Sequence, residues 1–467
     1  MSLSFLTAVR QAPEEVALVA EGRAFCFAEL APRVAAAAAA LARVAQAAVA
    51  PPGGEGPWLL LDAAPSVDTL VRLWAAFEVG VPVALLHPRW TASERARAAA
   101  VFPSGLEAAE VPWSAGGDVP GGGPPPDDGR PLAAVFTSGS AGVPKGVVLS
   151  RAAVAASARA SALRLGWRAA DRWLLSLAPA HVGGLAIVAR CLLARRAVVL
   201  AEGAAMVPTI QRHGVTLLSV VAAQLRRLLD ASDGPAPPSL RVVLVGGGPC
   251  PLPLLAEAVA RGWPVLPTYG LSEAGSQVAT AAPGWTPADG LALPPLPGVE
   301  VRIYRGEIQL RGEVVCSAVV PTGAFPSPFT ADGWLATGDL GRLDREGRLE
   351  VLGRRDTVIV TGGENVLPEE VEAALVAVAG VREALVFGVA DPVWGAVVAA
   401  AVVPAPGVRL SGAALRQTLA ERLAPFKLPR RIVVVDELPR LASGKVDRRG
   451  AAQRLVAALA EAGEEGR

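Results

Sequence analysis

The chain has 467 residues, of which 52% are hydrophobic and 41 are proline, and its formal net charge is +1. Such a length holds two or more domains with full cores, and such a composition is globular rather than disordered. The near-neutral charge, with no Lys/Arg block, argues against nucleic acid as a partner, and Cys26, Cys191, Cys250 and Cys316 lie too far apart for a zinc CxxC pair or a secreted disulfide framework.

The N-terminal MSLSFLTAVRQAPEE lacks the basic-then-apolar pattern of a secretory signal. Val34 to Ala50 is mostly alanine and is interrupted by Arg43, which suits a water-soluble helix rather than a membrane span. A soluble, cytoplasmic protein is therefore expected. His87, His181 and His213 are the only histidines, so a His-rich metal site is not expected. GGDVPGGGPPPDDG, rich in Gly and Pro and acidic, reads as an exposed connector.

The connector leads into FTSGSAGVPKGVVLS, from Phe136 to Ser150. Leu132 to Phe136 reads as a buried strand and Gly146 to Leu149 as the strand that returns. Between them, Gly139, Gly142 and Gly146 allow tight turns and close N–H approach to an anion. Thr137, Ser138 and Ser140 add hydroxyl donors, and Lys145 adds a point charge. Phosphate binding explains this set, and a Gly/Ser hairpin shaped by turn chemistry alone is the alternative. The Walker signature is absent, because the lysine precedes its glycine and Val147 follows.

Downstream, Ala197 to Leu200, Thr216 to Val220, Arg241 to Val245 and Val265 to Pro267 read as strands, with helices at Ala222 to Leu229 and Pro251 to Arg261. That alternation predicts an α/β fold with crossover helices. TYGLSEAGSQ (Thr268 to Gln277) follows a strand and holds a lone acid, Glu273, beside Ser272. Near phosphates, a carboxylate and a hydroxyl suit magnesium; an exposed turn explains them equally well. TGDLG places Asp339 between glycines, where an ionised carboxylate can accept both hydroxyls of a ribose or simply serve a turn.

TGDLGRLDREGRLEVLGRRD, from Thr337 to Asp356, alternates turn and strand residues as a hairpin does, and its GRRD end offers arginines to phosphate or ribose oxygens. GGENVLPEEVEAAL then starts a helix with Asn365 as N-cap, Pro368 in the first turn and Glu369 and Glu370 at its positive end. From about Thr357 onward the pattern is a compact α+β unit of roughly 110 residues. LPRLASGKVDRRG sets Lys445 on a polar loop near the C-terminus, a surface position from which a mobile domain can carry it into a site.

Taken together, these five segments resemble the acyl-adenylate-forming superfamily of acyl-CoA synthetases, peptide-synthetase adenylation domains and luciferases. The likeness runs in the family's order from QAPEEVALV to GKVDRRG. It implies a large N-terminal domain of stacked α/β subdomains over residues 1–355 and a small mobile α+β domain over 356–467. It also implies ATP, Mg²⁺ and CoA as ligands. Under this resemblance Thr137, Ser138, Gly139, Ser140, Gly142 and Lys145 hold the ATP phosphates, and Glu273 binds the metal with Ser272 alongside. Gly246, Gly247, Gly248, Pro249, Tyr269 and Gly270 line the adenine side. Asp339 binds the ribose, Arg354 the ribose and phosphate region, Asp356 is the hinge, and Lys445 assists adenylation. Gly362 and Gly363 form the narrow wall of a thiol tunnel.

LAPAHVGGLAIVAR adds His181, which the resemblance places at the acyl pocket and CoA tunnel. It also adds Arg190 in an apolar helical stretch, where an unpaired charge is unfavourable. Arg190 pairs either with a substrate carboxylate or with a structural acid. With VTLLSVVAAQLRRLLD and the pair Ser276 and Gln277, this segment resembles the o-succinylbenzoate–CoA ligases of menaquinone synthesis. Their substrate has one carboxylate to activate and one left to bind. Departures from the superfamily pattern are Ala141, Ala180, Ser272 and the CSAVV turn from Cys316 to Val320.

Two other functions stay open at this point: a CoA ligase for an aryl or acyl monoacid, and an adenylation enzyme that loads a separate carrier protein. A small carboxylic acid is the expected partner in every case, and a homo-oligomer is compatible with the sequence. A ligand-binding relative without activity fits poorly, because Lys445, Glu273 and Asp339 are all in place. A serine hydrolase lacks its G-x-S-x-G.

Overall fold

The computed structural model describes residues 2–48, 56–113, 128–137, 144–201, 206–232, 234–321, 326–441, 446–448, 450–451 and 454–455. The short apolar runs become strands of two largely parallel sheets. One has six strands in the order Ala318–Val320, Lys145–Ser150, Pro131–Thr137, Val83–Leu86, Leu59–Asp62, Leu106–Glu107. The other has eight, running Ser276–Thr280, Val265–Leu271, Val242–Val245, Leu217–Val220, Arg172–Leu175, Ala197–Leu200, Val16–Ala20, Arg23–Cys26. Both read as unbroken apolar runs because helices cover their faces.

The helices Phe27–Ala47, Val67–Val79, Arg151–Leu165 and Val182–Ala194 contribute to one core with both sheets. The alanines Ala37 to Ala40 are fully buried and let the first of these helices lie close to the second. The expected helix at Val34 to Ala50 is therefore real but begins earlier, at Phe27. No helix among the described residues is long and apolar enough to cross a membrane.

The strands read from the sequence appear with small shifts, and Val265–Leu271 runs four residues beyond the expected Pro267. That extension pairs antiparallel with Ser276–Thr280, so the TYGLSEAGSQ segment is a hairpin carrying the turn Ser272–Ala274. A third sheet, antiparallel throughout, contains Glu300–Tyr304, Glu307–Arg311, Leu335–Leu343 and Leu349–Arg354. The hairpin expected over TGDLG to GRRD is its last pair.

After the turn Arg355–Thr357 the chain builds a fourth sheet of Ile359–Thr361, Glu364–Val366, Val381–Asp391, Gly395–Pro404 and Arg431–Val434. This sheet has its own core, including Ile359, Val371, Leu375, Val398 and Leu419. Here one expectation fails. Asn365 does not cap the next helix: it lies in a strand opposite Val360, and the N-cap is Leu367, without a side-chain bond. Gly362 and Gly363 turn the chain back on itself, so the residues after them stay extended up to Pro368. A proline also disfavours helical geometry in the residue before it. Pro368, Glu369 and Glu370 do occupy the first helical turn.

Between the large assembly and the fourth sheet runs the ion pair Arg382–Asp230 at 2.9 Å. The carboxyl ends of the parallel strands Val83–Leu86, Pro131–Thr137, Val242–Val245 and Val265–Leu271 bear most of the residues singled out above, which is where ligands bind in open α/β sheets.

Candidate active site

Strands Pro131–Thr137 and Lys145–Ser150 form a hairpin with Thr137 opposite Lys145. Ser138, Gly139, Ser140 and Gly142 lie outside the described residues, and so does Ala141. Gly146 leaves no room for a side chain: a Cβ there would sit 2.8 Å from Val320 Cγ2 in the adjoining strand. Lys145 donates from Nζ to Glu273 Oε1 at 2.7 Å, joining the six-stranded sheet to the hairpin of the eight-stranded one. Both side chains are largely shielded. The turn holding Glu273 and Ser272 is pinned by the Cys316 N–H, which donates to the Glu273 carbonyl at 2.7 Å. Burial beside Glu273 pushes the Cys316 thiol up to about 12. The altered CSAVV turn thus buttresses the acid and then enters the sheet next to Lys145.

A single carboxylate next to a lysine fits magnesium, which binds through one or two carboxylates and its substrate's phosphates rather than a protein cage. Consistently, no group of three or more His, Cys, Asp or Glu gathers among the described residues.

A second cluster forms around Asp339, which is 7% exposed. Tyr269 Oη donates to its Oδ2 at 2.6 Å and Arg354 Nη1 to its Oδ1 at 3.0 Å. Burial raises the Asp339 carboxyl above its ordinary value, while the bonds from Tyr269 and Arg354 oppose that rise. Burial and the neighbouring carboxylate hold the Tyr269 phenol protonated far above its ordinary range. Arg354 also donates from Nε to Asp356 Oδ1 at 3.1 Å, so the proposed nucleotide and hinge residues form one chain of bonds. Gly246 ends its strand with room for no side chain, since a Cβ would lie 2.7 Å from Thr268 Cγ2. Gly247 is left-handed at φ 76°, next to Gly248 and Pro249. Gly270 is required by the irregular pairing at Tyr269, where a Cβ would run into the Ser276 carbonyl.

The third cluster is built on the helix Val182–Ala194. His181 is its N-cap and makes no side-chain capping bond. Gly184 has the carbonyls of Leu177 and Ala178 packed where a Cβ would be, so the chain enters the helix in a tight turn, with Ala180 buried beneath it. Arg190 is 3% exposed, its guanidinium carbon 5.5 Å from the centre of the Trp173 ring. Among the described residues its Nε and Nη2 have no hydrogen-bond partner. Burial lowers its pKa to about 10. Arg190 lines a small cavity with Ser157, Val182, Leu185, Ala186 and Gly275, directly behind the Glu273 turn.

Ser276, which follows the cavity-lining Gly275, stands at the strained φ of 112°. Gln277 is committed internally: its Oε1 accepts from Ser161 Oγ at 2.7 Å and its Nε2 donates to Thr280 Oγ1 at 2.8 Å. Ser157, whose Oγ donates to the Gly275 carbonyl at 2.8 Å, was not singled out by the sequence. Nothing local marks it among the small residues of its helix.

Gly362 and Gly363 form the turn of the fourth sheet's hairpin at φ 58° and 88°. The close neighbour of Gly362 is Trp394, whose ring would lie 2.6 Å from a Gly362 Cβ. Lys445 lies outside the described residues. Nearby, Arg448 ties its segment to the helix Pro368–Val376 through two bonds to Glu372, at 2.5 and 2.6 Å.

The AMP-binding enzyme profile matches residues 100–317, and the AMP-binding enzyme C-terminal domain profile matches residues 370–445. A 2-succinylbenzoate–CoA ligase from Bacillus pumilus is 35% identical, with 93% of this chain and 94% of that one covered. The structure of Bacillus subtilis o-succinylbenzoate CoA synthetase in complex with the acyl-adenylate OSB-AMP superposes with a TM-score of 0.83 at 31% identity, covering 96% of this chain and 97% of that one. A double variant of the same enzyme bound to the product analogue OSB-NCoA gives 0.69 at 31% identity, covering 97% and 98%. With both profiles matched and the likeness extending over nearly its whole length, the chain belongs to the AMP-binding, acyl-adenylate-forming enzyme family.

Proposed function

We propose that the protein is an ATP-dependent carboxylate–CoA ligase that activates o-succinylbenzoate through an acyl-adenylate, in menaquinone synthesis. A carboxylate will not acylate a thiol directly. In the first half-reaction a carboxylate oxygen attacks the α-phosphorus of ATP, the bond to the β-phosphate oxygen breaks, and pyrophosphate leaves. In the second, the thiol sulfur of CoA attacks the acyl carbon, the C–O bond to phosphate breaks, AMP leaves with the electron pair, and the thiol proton passes to solvent.

Phosphoryl-type transfer needs positioning and charge neutralisation above all. Lys145 sits at the edge of the phosphate loop and turns from Glu273 to the phosphates as nucleotide enters. The Glu273 carboxylate would then hold Mg²⁺, which when bound would neutralise phosphate charge. Asp339, held between Tyr269 and Arg354, presents carboxylate lone pairs to the ribose hydroxyls. Lys445 supplies further positive charge at the adenylation stage. Residues 1–355 and 356–467 act as two domains that turn about Asp356, bringing Gly362 and Gly363 to the thiol path.

The observation that carries the choice of acid is Arg190. A buried guanidinium whose Nε and Nη2 have no partner among the described residues is strongly unfavourable unless an anion completes it, and Arg190 lines a small cavity. A diacid supplies that anion while leaving its other carboxylate to react. The test is mass spectrometry of the products after incubation with ATP, Mg²⁺, CoA and either o-succinylbenzoate or a panel of monoacids. A thioester from o-succinylbenzoate supports the assignment; thioesters from monoacids alone refute it.

A further inference from the structure

Two of the three histidines meet in space although they are far apart in sequence. The rings of His87 and His181 have centroids 5.1 Å apart at 57°. His87 immediately follows the strand Val83–Leu86, whose parallel neighbour Pro131–Thr137 leads into the phosphate loop. His181 opens the helix that carries Arg190. The contact therefore joins the end of a strand in the six-stranded sheet to the start of the helix that carries Arg190.

His87 is itself held firmly. Its Nδ1 accepts the backbone N–H of Arg89 at 3.1 Å, which fixes the ring and leaves the proton of the neutral form on Nε2. Trp90 from the same turn lies 6.2 Å from His87 and 5.5 Å from Phe136. Phe136 directly precedes Thr137, so a row of rings runs from the edge of the phosphate loop to His181. The charged groups around His87 are Arg89 and Glu94; burial and Arg89 lower its pKa, which favours a neutral, packing imidazole.

We infer that His87 is a positioning residue: by packing against His181 it sets the ring that borders the path of the thiol, and so acts on thioester formation rather than on adenylation. This rests on the proposed ligase function and on the family resemblance, which places His181 at the acyl pocket and CoA tunnel. Adenylation makes no demand on that ring, because attack on the α-phosphorus takes place at the nucleotide cluster. Thiol attack needs the sulfur and the acyl carbon aligned to within a fraction of an ångström, and a wall free to swing spoils that alignment.

The experiment uses the full-length enzyme with His87→Ala and His87→Phe. Pyrophosphate release without CoA reads the first half-reaction. Rapid-quench conversion of preformed acyl-adenylate on adding CoA reads the second, with whichever acid the wild type activates. Failure of the substrate assignment thus shows separately, as a lack of product from o-succinylbenzoate. His87→Ala should leave pyrophosphate release unchanged and slow thioester formation about tenfold, by misplacement alone. His87→Phe, which keeps a ring against His181, should recover most of that rate. Equal loss in both halves, no loss in the second, or a Phe variant as slow as the Ala variant would each overturn the inference.

Discussion

Lys145 and Glu273, from two different sheets, form a shielded ion pair 2.7 Å long at the centre of the proposed phosphate site. In this pair each charge satisfies the other. On the proposed reading, nucleotide binding exchanges this pair for two new ones, lysine with phosphate and glutamate with metal. Glu273→Gln removes the proposed metal carboxylate but keeps the hydrogen-bonding shape. The Mg²⁺ concentration for half-maximal pyrophosphate release should rise at least tenfold, by the order of ~10–100-fold typical of groups around a metal. An unchanged magnesium titration would remove Glu273 from the metal site.

Tyr269 holds Asp339, the proposed ribose carboxylate. Tyr269→Phe leaves Asp339 with Arg354 alone and gives up a hydrogen bond to a charged group, about 2 kcal/mol. The KM for ATP should increase by roughly tenfold or more with kcat little altered, as expected for lost ground-state binding. Steady-state kinetics with ATP as the varied substrate decide this, and a fall in kcat at constant KM would count against it.

Gly362 stands at φ 58° with the Trp394 ring against it. Gly362→Ala strains the turn by about 1–2 kcal/mol and pushes Trp394 aside. Pyrophosphate release should persist while thioester yield drops, so acyl-adenylate accumulates on the enzyme. Mass spectrometry of quenched turnover mixtures detects it; matched losses in both products would place these glycines outside the thiol path.

Glu369 gives a pH dependence with a defined sign. Burial raises its pKa, Arg448 opposes, and Glu372 and Asp339 add to the rise. Its Oε2 has no partner among the described residues, and it lies against Gly353 just before the proposed hinge. An acid that holds its proton more tightly folded than unfolded costs stability as pH climbs from the ordinary value of 4.5 through the folded value. Glu369→Gln should therefore stabilise the protein at neutral pH by about 1 kcal/mol, the low end for relieving an unsatisfied buried group. The gain should vanish in acid, where glutamate is itself protonated. Thermal unfolding at several pH values checks both the sign and its disappearance.

Much of this arrangement is legible in local sequence, because strand ends and tight turns have local causes. The Thr137 to Lys145 loop edges, the Glu273 turn and the TGDLG hairpin all fall where apolar runs meet glycines. Arg190 stands out because a charge inside LAIVARCLL breaks the pattern. Long-range partnerships are another matter. That Tyr269 binds Asp339, or that Lys145 reaches Glu273, depends on how two sheets are stacked, and no local pattern encodes it. Gln277 beside the strained Ser276 looks like a substrate contact, yet its amide is taken up by Ser161 and Thr280 within the core. Asn365 has the chemistry of an N-cap but is pulled into a strand by the two glycines before it. His87 carries no signal until the fold sets it against His181.

Arg190 offers the most direct measurement. The kcat/KM of wild type and Arg190→Ala should be compared on o-succinylbenzoate and on the monoacid analogue lacking its second carboxylate. Loss of a buried charge-assisted pair is worth about 3 kcal/mol, so the variant should lose on the order of a hundredfold on the diacid. On the monoacid it should match the wild type. Equal losses on both acids, or none on the diacid, would contradict a diacid ligase whose second carboxylate is held by Arg190.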